Sequence, residues 1–136
     1  MMAFADFAVG QSAELERTLS EADVMAFAAL TGDYNPVHVD DVAAAASPFG
    51  ERIVHGMLTA SLLSTVLAMQ LPGPGAIYVS QAVRFLRPVK FGETVTARVE
   101  ITAIDPARLR LTLSTTIRNA RGKSVIDGEA IVQLPS

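Results

Sequence analysis

A chain of 136 residues without cysteine excludes disulfide staples and thiolate zinc sites, and its length fits one domain, residues 1–136, with a sizeable core. The formal charge of −3, with no long basic run, argues against nucleic acid as a partner. Half of the residues are hydrophobic and mean hydropathy is +0.35, so much apolar surface must be hidden around a buried helix or in a subunit interface.

Residues 1–12 read as a loose start, without the basic region and apolar run of a signal peptide. Ala13 to Leu19 reads as a strand in which Leu15 alternates with Glu14 and Glu16. Ser20 then suits an N-cap, and Asp23 at the third helical position makes a weak capping box. The helix runs from Glu21 to about Thr31, with Val24, Phe27, Ala28 and Thr31 on one face, and Gly32 fits its C-terminal stop. A polar loop from Asp33 to His38 follows. Asp40 or Asp41 caps a short alanine-rich helix ending near Ser47-Pro48-Phe49-Gly50.

The longest helix is expected from about Gly56 to Gln70, stopped by Leu71-Pro72-Gly73-Pro74-Gly75. Apolar residues cover nearly every face of it, so it should be surrounded by protein. Its apolar stretch, Met57 to Leu71, is too short to span a bilayer and carries Thr59, Ser61, Ser64 and Thr65, which points to a cytoplasmic protein with no membrane segment.

After Gly75 the pattern turns to strands. Ala76 to Leu86 is strand-like and ends before Pro88, and Phe91-Gly92-Glu93 is a turn. From Thr94 to Thr102, Val95, Ala97, Val99 and Ile101 alternate with polar residues until Asp105-Pro106 breaks the run. Leu109, Leu111, Leu113 and Ile117 alternate in the next strand, and Asn119 to Lys123 is a hairpin turn around Gly122. Ser124 to Leu134 closes the chain with Ile126, Ala130, Val132 and Leu134 in one phase. Short turns between these strands make an antiparallel meander the natural pairing. One curved antiparallel sheet wrapped around one apolar helix, an α+β arrangement, satisfies this order, and open edge strands would favour pairing with a second copy.

The chemistry centres on Asp33 and His38, five positions apart around Asn35-Pro36. A carboxylate and an imidazole reaching one water make a general acid–base pair. Pro36 fixes φ and pushes Asn35 toward an extended conformation, so the loop is constrained. Asn35 can bond the loop backbone or orient a catalytic partner. The bland alternative is a helix-ending loop whose Asp is a cap and whose His satisfies a carbonyl. On spacing alone that alternative weighs more, because Asp-x4-His is a weak motif.

Gly56, at the head of the long helix, offers an unpaired backbone N–H at a positive dipole end, which suits a developing oxyanion, or it simply permits tight packing. His55 reads as structural, shaping the turn. Ser61 and Ser64 either bond a carbonyl one turn back or, for Ser64, reach the substrate slot; neither has nucleophile-elbow surroundings. Arg84, Arg87 and Lys90 fit an anionic ligand such as a phosphate, or a solvated strand end. Two histidines without metal-ligand spacing argue against a metal site.

Thr31-Gly-Asp33-Tyr-Asn35-Pro-Val-His38, followed by Ile53-Val-His-Gly56-Met57, resembles the MaoC-like (R)-specific enoyl-CoA hydratases, in their short bacterial type that feeds polyhydroxyalkanoate synthesis. The resemblance extends to Pro72-Gly-Pro-Gly-Ala-Ile-Tyr78, Phe91-Gly92-Glu93 and Gly128-Glu129-Ala130. It implies a hot-dog fold, a homodimer, and addition of water to a trans-2-enoyl-CoA to give an (R)-3-hydroxyacyl-CoA. By position it implies Asp33 and His38 as the catalytic pair, Gly56 as the oxyanion-hole glycine and Asn35 as a supporting residue. Ser64, Leu67 and Val132 match positions shaping the end of the acyl pocket. No metal or redox cofactor is implied, since CoA is part of the substrate, and its phosphates would meet Arg84, Arg87 or Lys90. A dehydratase acting on acyl-carrier-protein thioesters shares fold and chemistry. A hot-dog thioesterase would need a carboxylate on the long helix, which has none. A non-catalytic acyl-thioester-binding module would need neither Asp33 nor His38.

Overall fold

The computed structural model describes residues 3–135. The chain forms strand β1 (Ser12–Thr18), helices α1 (Glu21–Thr31), α2 (Pro36–Val39), α3 (Asp41–Ala45) and α4 (Gly56–Met69), then strands β2 (Ile77–Phe85), β3 (Thr94–Asp105), β4 (Arg110–Asn119) and β5 (Ser124–Gln133). Ser20 opens α1 with a reciprocal capping box: its hydroxyl accepts from the Asp23 N–H at 3.2 Å, and the Asp23 carboxylate accepts from the Ser20 N–H at 2.9 Å. Gly32 closes α1 in the left-handed region at φ 80°, where glycine carries no Cβ penalty.

The five strands form one antiparallel sheet in the order β1-β3-β4-β5-β2. Helix α4 packs against β1, β2, β3 and β4, so the sheet curves round it, the hot-dog arrangement. Strand alternation sets the core. Val95, Ala97, Val99, Ile101, Leu111, Leu113 and Ile117 are completely buried, and Leu63, Val66 and Leu67 of α4 fill the same cluster.

Four expectations need correction. The start is not loose: Gly10 and Ile101 are joined backbone to backbone at 2.9 Å, and Phe7 lies in the core. Met1 and Met2 lie outside the described residues. The meander holds only for β3-β4-β5. Strand β2 pairs with β5 at the far edge, because residues 86–93 are diverted into bonds with residues elsewhere in the chain, including Val89 with Val54 and Gly92 with Leu19. The Asp33–His38 segment is not all loop, since Pro36 at the first helical position starts the one-turn helix α2. Finally, α4 is not covered on every side: Met57, Ser61, Ser64, Thr65 and Met69 form an exposed stripe. Its three hydroxyl side chains can face water, whereas Leu63, Val66 and Leu67 cannot do so without cost.

Candidate active site

The site is a short loop held by a strap. After Gly32 the loop is tied locally. The Thr31 hydroxyl accepts from the Asp33 N–H at 3.3 Å, and an Asp33 carboxylate oxygen accepts from the Asn35 N–H at 3.2 Å. The Asn35 carbonyl accepts from the His38 N–H at 2.9 Å. Asn35 therefore links Asp33 to His38 through its backbone, while its side chain makes no capping bond to α2.

The strap is residues 52–56, running into α4. Its Val54 N–H donates to the Val89 carbonyl at 2.8 Å, which fixes it beside residues 89–90. The Ile53 carbonyl lies 2.8 Å from His38 Nδ1, and the Asp33 carbonyl lies 3.0 Å from His55 Nε2. A carbonyl can only accept, so each of those ring nitrogens carries the proton. In the neutral rings His38 then presents a bare Nε2 and His55 a bare Nδ1. His55 Nδ1 is buried without a hydrogen-bond partner among the described residues. The two rings stack with centroids 4.0 Å apart, and Phe27 lies 4.8 Å from the His55 ring.

Burial pushes the His38 imidazole below its ordinary value, because the charged form loses solvation. The bond to the Ile53 carbonyl opposes this, the adjacent His55 adds to it, and Asp33 opposes it. Burial thus favours the neutral form of the His38 ring.

A carboxylate oxygen of Asp33 and a ring nitrogen from each of His38 and His55 lie within 4.8 Å of one another. Those three could be a cation site by composition. The stacked rings are only 29° from parallel, however, so their in-plane lone pairs do not converge on one ion. The trio is better arranged to hold a small polar molecule at Asp33 and His38, with His55 behind them.

Gly56 is the first residue of α4, and its N–H has no acceptor within the helix. A Cβ there would come within 2.8 Å of Phe85 Cε1, so glycine lets the β2 aromatic close over the helix head. Beside it opens a cleft of about 310 Å³ bordered by Phe49, Ile53, Thr59, Phe85, Arg87 and Ile126, among others.

The remaining candidates are scattered. Ser61 donates to the Leu58 carbonyl at 2.6 Å, and Ser64 is exposed on α4. Leu67 and Val132 are core residues, 2% and 1% exposed, and the cleft beside Gly56 is bordered by other side chains. Arg84 is held by Asp127 at 3.0 and 3.1 Å, and Lys90 pairs with Glu51 at 3.4 Å. Arg87 donates to the Ser124 carbonyl and borders the cleft. His55 is the residue that sequence reasoning undervalued: it touches both Asp33 and His38. Its only signal was its place next to Gly56, because no spacing rule connects it to a residue 22 positions earlier.

Known proteins bear on this geometry. The MaoC like domain family matches residues 6–120. The chain is 49% identical over 133 residues to an (R)-specific enoyl-CoA hydratase of Rhodospirillum rubrum, covering 98% of this chain and 92% of that protein. It is 45% identical over 132 residues to a 3-hydroxybutyryl-CoA dehydratase of Methylorubrum extorquens, covering 97% and 83%. Among solved structures, the (R)-hydratase from A. caviae involved in PHA biosynthesis superposes with a TM-score of 0.92 at 47% identity, covering 96% of this chain and 98% of that one.

Proposed function

The chain belongs to the MaoC-like family, and from that premise we propose that it is a hydro-lyase adding water reversibly to trans-2-enoyl-CoA to give (R)-3-hydroxyacyl-CoA. The observation that carries this reading is the joint placement of two proton acceptors, the Asp33 carboxylate and His38 Nε2, by the same strap that leads into Gly56.

Water sits between the two acceptors with its oxygen aimed at the β-carbon. As the C–O bond forms, the π electrons move onto the thioester oxygen. The Gly56 N–H and the positive end of α4 stabilise that enolate charge, a donor worth about 3 kcal/mol. The pair removes one proton from the attacking water and returns one to the α-carbon, so the net addition is H and OH. No electrons leave the substrate, so the reaction calls for no redox cofactor, and the thioester is polarised by an N–H rather than a metal. The intracellular occurrence of CoA thioesters supports a cytoplasmic setting for the reaction.

Arg87, at the cleft, is the cation best placed for a CoA phosphate; Arg84 and Lys90 already carry carboxylate partners. The family resemblance assigns Ser64, Leu67 and Val132 to the far end of the acyl chain, although Ser64 is exposed on α4 and Leu67 and Val132 are core residues outside the cleft beside Gly56. Asn35 supports the pair through its backbone. One hot-dog domain spans residues 1–136, and it works as a homodimer. The two sheet edges favour this. Edge strand β1 carries Glu14, Glu16 and Arg17, whereas edge strand β2 exposes Ile77, Tyr78, Val79 and Phe85.

The test is loss of crotonyl-CoA absorbance in water, with product stereochemistry resolved and the crotonyl acyl-carrier-protein thioester run in parallel. Formation of (R)-3-hydroxybutyryl-CoA is expected. No hydration, or an (S) product, overturns the reading, and turnover of the carrier-protein thioester alone overturns CoA as the carrier.

A further inference from the structure

The strap begins with a nearly buried cation. The Arg52 side chain is only 10% exposed. Its Nε donates to the His38 carbonyl at 2.8 Å. Its terminal nitrogens reach Glu21 at 3.0 Å, Asp41 at 3.6 Å and the Met25 sulfur at 3.5 Å, and its guanidinium lies 4.9 Å from the Phe91 ring centroid. One side chain therefore ties α1, α2, α3 and the turn before β3 together.

The element it holds needs holding. Helix α2 has four residues, too few for helical cooperativity to fix its position. Outside contacts must do so, and three of them come from two adjacent residues. Arg52 Nε takes the His38 carbonyl, the Ile53 N–H takes the Val37 carbonyl at 3.2 Å, and the Ile53 carbonyl takes His38 Nδ1 at 2.8 Å. Residues 52–53 thus grip His38 by its main chain and its ring together. A guanidinium suits this task because its fork supplies separate N–H groups to a carbonyl and to carboxylates and stays charged when buried.

We infer that Arg52 is a positioning residue: by anchoring the His38 carbonyl to α1 and α3, it fixes where His38 Nε2 points. The inference rests on the hydratase reading for its kinetic consequence, but its structural content is independent of it.

The experiment compares wild type with Arg52→Met, which keeps the apolar stem and loses every donor, and with Arg52→Lys. Crotonyl-CoA kinetics are measured alongside ¹⁵N NMR of the histidine rings. Arg52→Met should lower kcat about 10- to 100-fold by misplacing the base, leave KM unchanged, and be partly rescued by lysine. The wild-type His38 ring should show one tautomer, protonated at Nδ1, and the methionine variant an averaged one. A folded Arg52→Met enzyme with wild-type kcat and wild-type ring signals overturns the inference, as does a loss seen only in KM or in the folded fraction. If Arg52→Met does not fold, the double variant Glu21→Gln/Asp41→Asn removes the carboxylates that hold the guanidinium. It should show a smaller kcat loss and the same broadened tautomer signal, and wild-type values there overturn the inference. If wild type itself fails to hydrate crotonyl-CoA, the hydratase reading falls, while the ring signals still decide whether Arg52 orders His38.

Discussion

Residues 94–134 and residues 31–56 are held together by different forces. The first segment is three paired strands whose inward residues, from Val95 to Val132, are almost wholly removed from water. Its stability is spread over many equivalent contacts of hydrophobic burial, about 25 cal/mol per Å². The second segment has two helices of four and five residues, an Asx-type turn and a strap, joined by individual hydrogen bonds. Each such bond contributes about 1 kcal/mol net. The strands can therefore lose a contact and keep their shape, whereas the loop and strap keep theirs only while specific partners stay in place. The second segment holds the Asp33 carboxylate and the His38 ring, the groups to which the proposed chemistry is assigned.

The sharpest way to break this division is at Asp33 and His38, the pair to which the proposed acid–base chemistry is assigned. Asp33→Asn and His38→Gln should each lower kcat by roughly 10²–10⁴, while the melting temperature of Asp33→Asn stays near wild type because its side chain is exposed. Steady-state kinetics with a thermal melt check both halves, and wild-type turnover in either variant removes that residue from the mechanism. The converse change is Leu113→Ala in β4. It should cost about 2–5 kcal/mol in a urea titration and leave activity per folded molecule unaltered. If activity falls in step with stability, the two segments are not separable.

Gly56 ends the second segment and heads α4, which packs on β3 and β4, so Gly56→Ala tests the junction. The added methyl would press on the Phe85 ring, and kcat/KM should fall on the order of 10-fold. Phe85→Ala on that background should recover part of the loss; no recovery would mean the ring is not what the methyl meets. The smallest expected effect is in pH. Burial holds His38 below its ordinary value of 6.5, so the unfolded chain binds more protons than the folded one below that pH. The His38 contribution to stability is complete above about pH 6.5 and is lost as pH falls through the lower folded value. A melting temperature that declines more steeply below pH 6.5 in wild type than in His38→Gln is the expected result, and parallel curves would rule it out.

Much of the fold was legible. Ser20, Asp23 and Gly32 marked both ends of α1, and the period-two runs marked β3, β4 and β5 to within a few residues. Asp33, His38 and Gly56 were singled out by their chemistry. The partnership of His55 with Asp33 and of Arg52 with His38 was not legible, since it joins a polar ring and a cation to main-chain carbonyls 22 and 14 residues away. Such bonds leave no period and no motif. The exposed stripe of α4 was missed for another reason: Met57 and Met69 raise the apolar count of the helix as much as Leu63 does, although they face outward.

The amino-acid sequence by itself determined what depends on near neighbours. Caps, a left-handed stop at Gly32, strand alternation and the residues able to carry acid–base chemistry all follow from interactions within a few positions. Tertiary structure decided the rest: β2 beside β5 rather than β3, Pro36–Val39 as a helical turn, and residues 52–56 as the strap between the Asp33–His38 loop and the head of α4. These depend on which distant backbone groups meet when the sheet closes around α4. Every carbonyl in the chain could accept the His38 ring proton, and only the folded path brings that of Ile53 within 2.8 Å of it.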